Sequence, residues 1–279
     1  MNIFRSALMC LLLFTSTLLT AQEFNVISYN IRFNNAYDNE NWWGHRKEAA
    51  IALLNAHSPV VFGVQEAVLG QMKYIDDHMP DYSYVGVGRD DGKEQGEFSA
   101  VFYDNRQVEL LTSGTFWLSP SPEIVSKGWD AALPRVCTYA EFEHKASGKK
   151  FWFFNTHFDH VGEEARANSA QLIVDKIKQI AGDKAPIVLS GDFNTTPDKA
   201  PYGRITAFMD DASALSPSGI KGPIGTFNGF KLDAELKNRI DYVFTKNLNV
   251  LNYAHLDTKR DNGLWVSDHL PVVVKIAFR

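Results

Sequence analysis

Nine short apolar runs of strand length follow one another along this chain: FNVISYNI (24–31), VVFGVQE (60–66), YSYVGVG (82–88), FSAVFY (98–103), RVCTYAEFE (135–143), KFWFFNTH (150–157), IVLSGDF (187–193), IDYVFT (240–245) and PVVVKIAF (271–278). Only residues 46–57, 70–78 and 163–181 carry the apolar period of a helix facing a core. So many strands with so few helices can bury their apolar faces only by packing sheet on sheet or helix on sheet. The expectation is an α/β chain, two sheets packed face to face with helices outside. No repeat, low-complexity tract or linker-like stretch divides the sequence, so residues 22–279 are expected to form one domain.

The polar residues fall in a pattern on these runs. In IVLSGDFN, side chains alternate faces, so Asp192 and Asn194 point one way while Phe193 turns into packing. An anion beside an amide is costly in a dry core and useful in a cleft. Asn30, Glu66, His157 and the pair Asp268-His269 likewise sit at the end of an apolar run or immediately before one. Taken singly, each has a plain reading: Asn30 a turn residue, Glu66 a solvated acid, His157 a core histidine bonded to backbone, Asp241 a turn cap. Recurrence at strand after strand points to a site, because strand-end loops on a rigid scaffold are where sites are held.

Residues 1–21 read as a secretory signal: Arg5, then apolar residues from Ala7 to Phe14 continuing through Leu18 and Leu19, then Leu-Thr-Ala. Cleavage is expected after Ala21, giving a secreted or periplasmic protein. Bulky Leu8 and Met9 ahead of Cys10 argue against lipid attachment. The remaining chain holds one cysteine, Cys137, so no intrachain disulfide forms and stability rests on the core. Losing Arg5 makes the net charge of −5 one unit more negative. Proteins that follow a nucleic-acid backbone are usually basic, and this one is not. A monomer without stable membrane association is expected.

SYNIR (28–32), VQE (64–66), NTHFDH (155–160), GDFN (191–194), RIDYVF (239–244) and SDHLPV (267–272), in this order, resemble the endonuclease/exonuclease/phosphatase superfamily, the DNase I-like fold. GDFNTTP and SDHLPV are most similar to the branch of CCR4-type deadenylases and nocturnin, and NTHFDHVGEEAR resembles a branch of secreted bacterial proteins. The resemblance implies a four-layer α/β sandwich, two mainly antiparallel sheets flanked by helices, and metal-assisted hydrolysis of a phosphoester. It implies Glu66 as main ligand of Mg²⁺ (with Mn²⁺ or Ca²⁺ as substitutes), a hard cation taking few carboxylates and keeping several waters. Asn30 would lie beside that ion, and Asp268 would touch it or a second one. Asp192 would accept the proton of the attacking water, and Asn194 would hold that water or a phosphate oxygen. His269, backed by Asp241, would donate to a phosphate oxygen. His157 matches the second histidine of the DNase I, sphingomyelinase and inositol-phosphatase branches. Glu97 is its expected orienting acid, with Glu94 and Asp91 as alternatives.

Arg32, Arg135 and Arg166 lie near these motifs and are expected to bring phosphate-binding charge, or else to form surface ion pairs. Asp159 and His160 either help hold substrate or form a solvated loop pair. Of the two adjacent tryptophans in NENWWGHR, one is expected in the core and the other, Trp43, against a substrate ring. The leading function is a metal-dependent phosphoesterase acting on a diester or monoester, small or terminal substrates favoured. The alternatives are a nuclease on DNA or RNA, and a non-catalytic binding module, which the intact residue set argues against.

Overall fold

The computed structural model describes residues 22–279, so the expected leader lies outside the described residues. Among the described residues thirteen strands form two sheets. The first holds β1 (Glu23–Asn30), β2 (Val61–Gln65), β3 (Tyr82–Val85), β4 (Val101–Asp104), β10 (Ile220–Lys221), β12 (Leu248–His255) and β13 (Val272–Phe278), in the order β10-β12-β13-β1-β2-β4-β3. The second holds β5 (Val108–Trp117), β6 (Val136–His144), β7 (Lys149–His157), β8 (Ile187–Asp192), β9 (Asp210–Asp211) and β11 (Asp241–Lys246), in the order β5-β6-β7-β8-β11-β9. Pairing is mostly antiparallel; β1 with β2, β7 with β8 and β10 with β12 are parallel.

Alternation along the central strands builds the layers. Val26, Val61, Phe153, Val188 and Val243 fill the space between the sheets. Their neighbours Ile27 and Phe62 pack under α1 (Trp43–His57) and α2 (Leu69–His78). Phe154, Leu189 and Phe244 pack under α3 (Glu163–Ile180) and α4 (Ala200–Thr206). A short α5 (Ala212–Leu215) follows α4 and β9. Strands covered on both faces read as unbroken apolar runs, which is why the sequence shows them so clearly. The result is the four-layer sandwich expected.

Two long strands escaped the sequence reading. β5 is an edge strand whose middle residues are exposed or half-buried, so it has no continuous apolar run. β12 lies next to the two-residue β10 near the other sheet's edge, and its apolar residues are interrupted by Asn249 and Asn252. Helix α1 begins at Trp43, ahead of the expected start at residue 46. Trp43 is buried between α1 and α2, edge-on to Tyr74 and beside the Arg46 guanidinium. This corrects the expectation that it faces substrate: the core needs the ring there. Trp42 is the exposed partner.

Candidate active site

The site lies where both sheets end together. Sheet register sets His157, Asp192 and Asp241 side by side in one row across β7, β8 and β11. Asn30 closes β1 opposite, and its Nδ2 donates to Glu66 Oε1 and to Asp192 Oδ2, each at 3.0 Å. Beneath this row runs a buried polar layer. Gln65 Nε2 donates to Asn155 Oδ1 at 2.7 Å, the Ser190 hydroxyl donates to the same oxygen at 3.0 Å, and Asn155 Nδ2 donates to the Val64 and Ala100 carbonyls. Gly63 lets the sheets meet here, since a Cβ would collide with the Asn155 amide and the Ser190 hydroxyl. Arg46, fully buried, donates to the carbonyls of Ile31 and Val266 and so ties the end of β1 to the segment carrying Asp268.

Three site residues leave their strands in the left-handed region: Arg32 (φ 58°), Glu66 (φ 63°) and Asn194 (φ 46°). Such backbone is uncommon for residues with a Cβ and is concentrated at functional sites. At Glu66 the turn brings the carboxylate round to the cluster, where Oε2 accepts from the Phe33 backbone N–H at 3.1 Å. Phe193 packs against Phe158 and Phe244, while Asn194 returns to the site. Asn194 Nδ2 donates to His157 Nε2 at 3.1 Å and to the Phe158 carbonyl at 3.0 Å, and its backbone N–H donates to Asp192 Oδ1 at 2.9 Å.

The two histidines differ in charge. Burial alone would lower the His269 pKa, but Asp241 and Asp192 outweigh it and hold the ring well above the usual value. Its Nδ1–H donates to Asp241 Oδ2 at 2.9 Å, and Nε2 lies 3.7 Å from Asp192. His157 is pushed well below the usual value, by burial first and then by Arg135 and Arg89. It is therefore neutral, accepts at Nε2, and carries its proton on Nδ1. Glu97 does not hydrogen-bond that nitrogen: Oε2 stands 3.8 Å away, and the carboxylate is taken by Arg89 through bonds of 2.6 and 3.0 Å. The expected orienting role of Glu97 is corrected accordingly. Arg89 lies outside every sequence motif, in the turn before Glu97, and had no signal.

Burial, then the charge of Asp241, pushes Asp192 up to about 7, against the pull of His269. Burial and Glu66 push Asp268 up to about 6, opposed by His269 and Arg32. Glu66, His157 and Asp192 present ligand atoms within 4.8 Å of one another, as do Asp192, Asp241 and His269. Crowded carboxylate oxygens whose charges repel fit a hard divalent cation. Asn30 shows the carboxylates its NH₂, because its oxygen accepts from the Arg32 backbone N–H; it links Glu66 to Asp192 rather than offering an oxygen.

Glu66, His157, Asp192, Asn194, Asp268 and His269 line a cavity of about 480 Å³, with Asn30 and Asp241 behind them. Arg32 reaches it paired to Asp38 at 3.0 Å, with Glu66 and Asp268 at 3.8 and 3.9 Å. Arg135 is buried in its wall, donating to Asp159 at 3.3 Å and to His160 Nδ1 at 2.9 Å, and its Nη1 has no partner among the described residues. Arg166 lies in an adjoining cavity, its Nη1 donating to the Asp159 carbonyl at 2.9 Å. Phe227, unnoticed in the sequence, lines both cavities and meets the His269 ring edge-on.

The profile of the Endonuclease/Exonuclease/phosphatase family matches residues 27–269, and the chain belongs to that family. A solved mannosyl-6-phosphatase of Bacteroides thetaiotaomicron VPI-5482 superposes with a TM-score of 0.87 at 37% identity, over 91% of this chain and all of that one. An uncharacterized protein of Acanthamoeba polyphaga mimivirus is 29% identical over 268 residues, 88% of this chain and 95% of its own length. Nocturnin of Drosophila melanogaster is 27% identical over 177 residues, 58% of this chain and 26% of its own.

Proposed function

We propose that this family member is an exported, divalent-metal-dependent hydrolase of small or terminal phosphoesters. The observation that carries the reading is the meeting of Asp192, Glu66, His269 and Arg135 in the lining of one cavity of about 480 Å³. A cavity of that size suits a compact ligand. The similarity to a mannosyl-6-phosphatase supports a small phosphorylated substrate. The chain's acidity is no help to a nuclease.

Arg135 and the His269 Nε2–H hold phosphate oxygens, and the histidine's bond strengthens as charge grows in the transition state. Asp192 takes the proton of the attacking water; a base with pKa near 7 suits a neutral medium. The Asn194 amide oxygen accepts a hydrogen bond from the water's other O–H, which stays intact. Asp241 fixes the His269 tautomer and favours its charged form. A Mg²⁺-class ion held by Glu66, with Asp268 near it, would supply positive charge to a phosphate oxygen.

The test is release of phosphate or alcohol from sugar phosphates, p-nitrophenyl phosphate, bis(p-nitrophenyl) phosphate, RNA and plasmid DNA, with Mg²⁺ and with EDTA. Metal-dependent turnover of small esters supports the reading; efficient plasmid or RNA cleavage with inert small esters favours the nuclease. No turnover of any ester at any metal concentration leaves the binding module. N-terminal sequencing of periplasmic and secreted fractions tests export, which predicts a mature chain starting at Gln22.

A further inference from the structure

A second cavity of about 420 Å³ adjoins the catalytic one, and the two share Asn194, Phe227 and Ile240. Asn194 is bonded through its backbone to Asp192, so this shared boundary lies on the base's side of the phosphorus. In-line displacement sends the leaving oxygen away from the attacking water. A group reaching the second cavity from phosphorus is therefore one that stays bound to it. A phosphomonoester has no such group, and a diester has one.

The walls describe what that group is. Ala167, Ala200, Pro201 and Ile240 give an apolar lining, and the Phe227 ring, 41% exposed, stands at the junction. Arg166 supplies donors, Glu163 an acceptor, and Asn238 both. Charge is nearly balanced: Glu163 offsets Arg166, and Lys199 lies 3.5 Å from Asp198. An apolar face with one aromatic ring and a mixed, near-neutral polar rim suits an uncharged polyhydroxylated ring better than a second phosphate.

We propose that the second cavity is a subsite for the retained arm of a phosphodiester, and that this arm is a polyhydroxylated ring such as a sugar or cyclitol. The inference rests on the phosphoesterase reading above. Water adds its oxygen to phosphorus and its proton passes to Asp192. The bond from phosphorus to the leaving oxygen breaks, that oxygen departs with the electron pair, and the ring remains as a phosphomonoester.

Four probes with one leaving group isolate the retained arm: p-nitrophenyl myo-inositol phosphate, p-nitrophenyl phosphorylcholine, thymidine 5′-monophosphate p-nitrophenyl ester as a nucleoside arm, and p-nitrophenyl phosphate, which has none. The inositol diester is expected to exceed the others in kcat/KM by about 10-fold, the scale of one stacking or hydrogen-bonding contact. Ala167→Trp, which fills the cavity from the surface of α3, and Asn238→Ala are expected to lower the ratio of inositol diester to monoester about 10-fold, mainly through KM. Preference for the monoester, for choline or for thymidine overturns the inference, as does a ratio unmoved by both variants. Absence of metal-dependent release from every probe instead overturns the phosphoesterase reading itself.

Discussion

Asp192 is pressed between Asp241, His269, Asn30 and the Asn194 backbone, and its role follows from that company. Asp192→Asn keeps the shape and removes the base, so kcat is expected to fall by about 10²-fold or more with little change in KM. The same carboxyl makes stability depend on pH. Between about pH 4 and 7 the metal-free folded chain holds protons on Asp192 and Asp268 that the unfolded chain has released. That contribution is complete below about pH 4 and is lost as pH rises through about 6 for Asp268 and about 7 for Asp192. His269, with its raised pKa, adds a loss of the same sign above about pH 6.5; His157, depressed, opposes below it. In EDTA, calorimetry should show Tm falling from pH 5 to pH 8, Mg²⁺ restoring more at pH 8, and Asp192→Asn flattening the slope. An equal slope in the variant contradicts the assignment. Alternation made Asp192, Phe193 and Asn194 legible in the sequence. The approach of Glu66 was not, because it depends on a left-handed turn, and Arg89 captures Glu97 through contacts that no motif marks.

At the scale of elements, the strand ends are aligned by the polar layer of Gln65, Asn155 and Ser190. Gly63→Ala should strain that layer and cost about 1–3 kcal/mol, as overpacking does, measured by urea unfolding. A loss below about 0.5 kcal/mol would mean the sheets shift without cost. Helix α3 is capped from a distance: Asp130 Oδ1 accepts from the Ala165 N–H at 2.6 Å and Oδ2 from the Glu164 N–H at 3.3 Å. Asp130→Ala should cost about 1 kcal/mol in unfolding free energy, the usual worth of a side-chain cap. Central strands were legible because both faces are covered; β5 was not, because an exposed edge strand lacks that apolar run. The second cavity was also hidden, since Arg166, Asn238 and Phe227 converge only after α3 and the segment before β11 pack together.

Both metal-capable clusters found among the described residues stand at the shared end of the two sheets. A larger cavity of about 710 Å³ between α1 and residues 258–266 is lined by Glu48, His45, His57 and Asp261 as well as by Ala49, Ala52 and Leu53, and neither metal-capable cluster found among the described residues lies in it. No described helix is long and apolar enough to cross a membrane. An acidic chain with a compact cavity should show little salt dependence for its preferred substrate, whereas duplex binding loses affinity with a slope of about −0.9 per phosphate contacted. A steep slope from 50 to 200 mM salt would contradict the small-substrate account. The most direct measurement is kcat/KM on the best small ester of the panel, at saturating Mg²⁺ and in EDTA, for wild type and Asp192→Asn of equal circular dichroism. The account predicts turnover that EDTA abolishes and that the substitution lowers by about 10²-fold or more. Turnover indifferent to EDTA, or an Asp192→Asn variant as active as wild type, would contradict it.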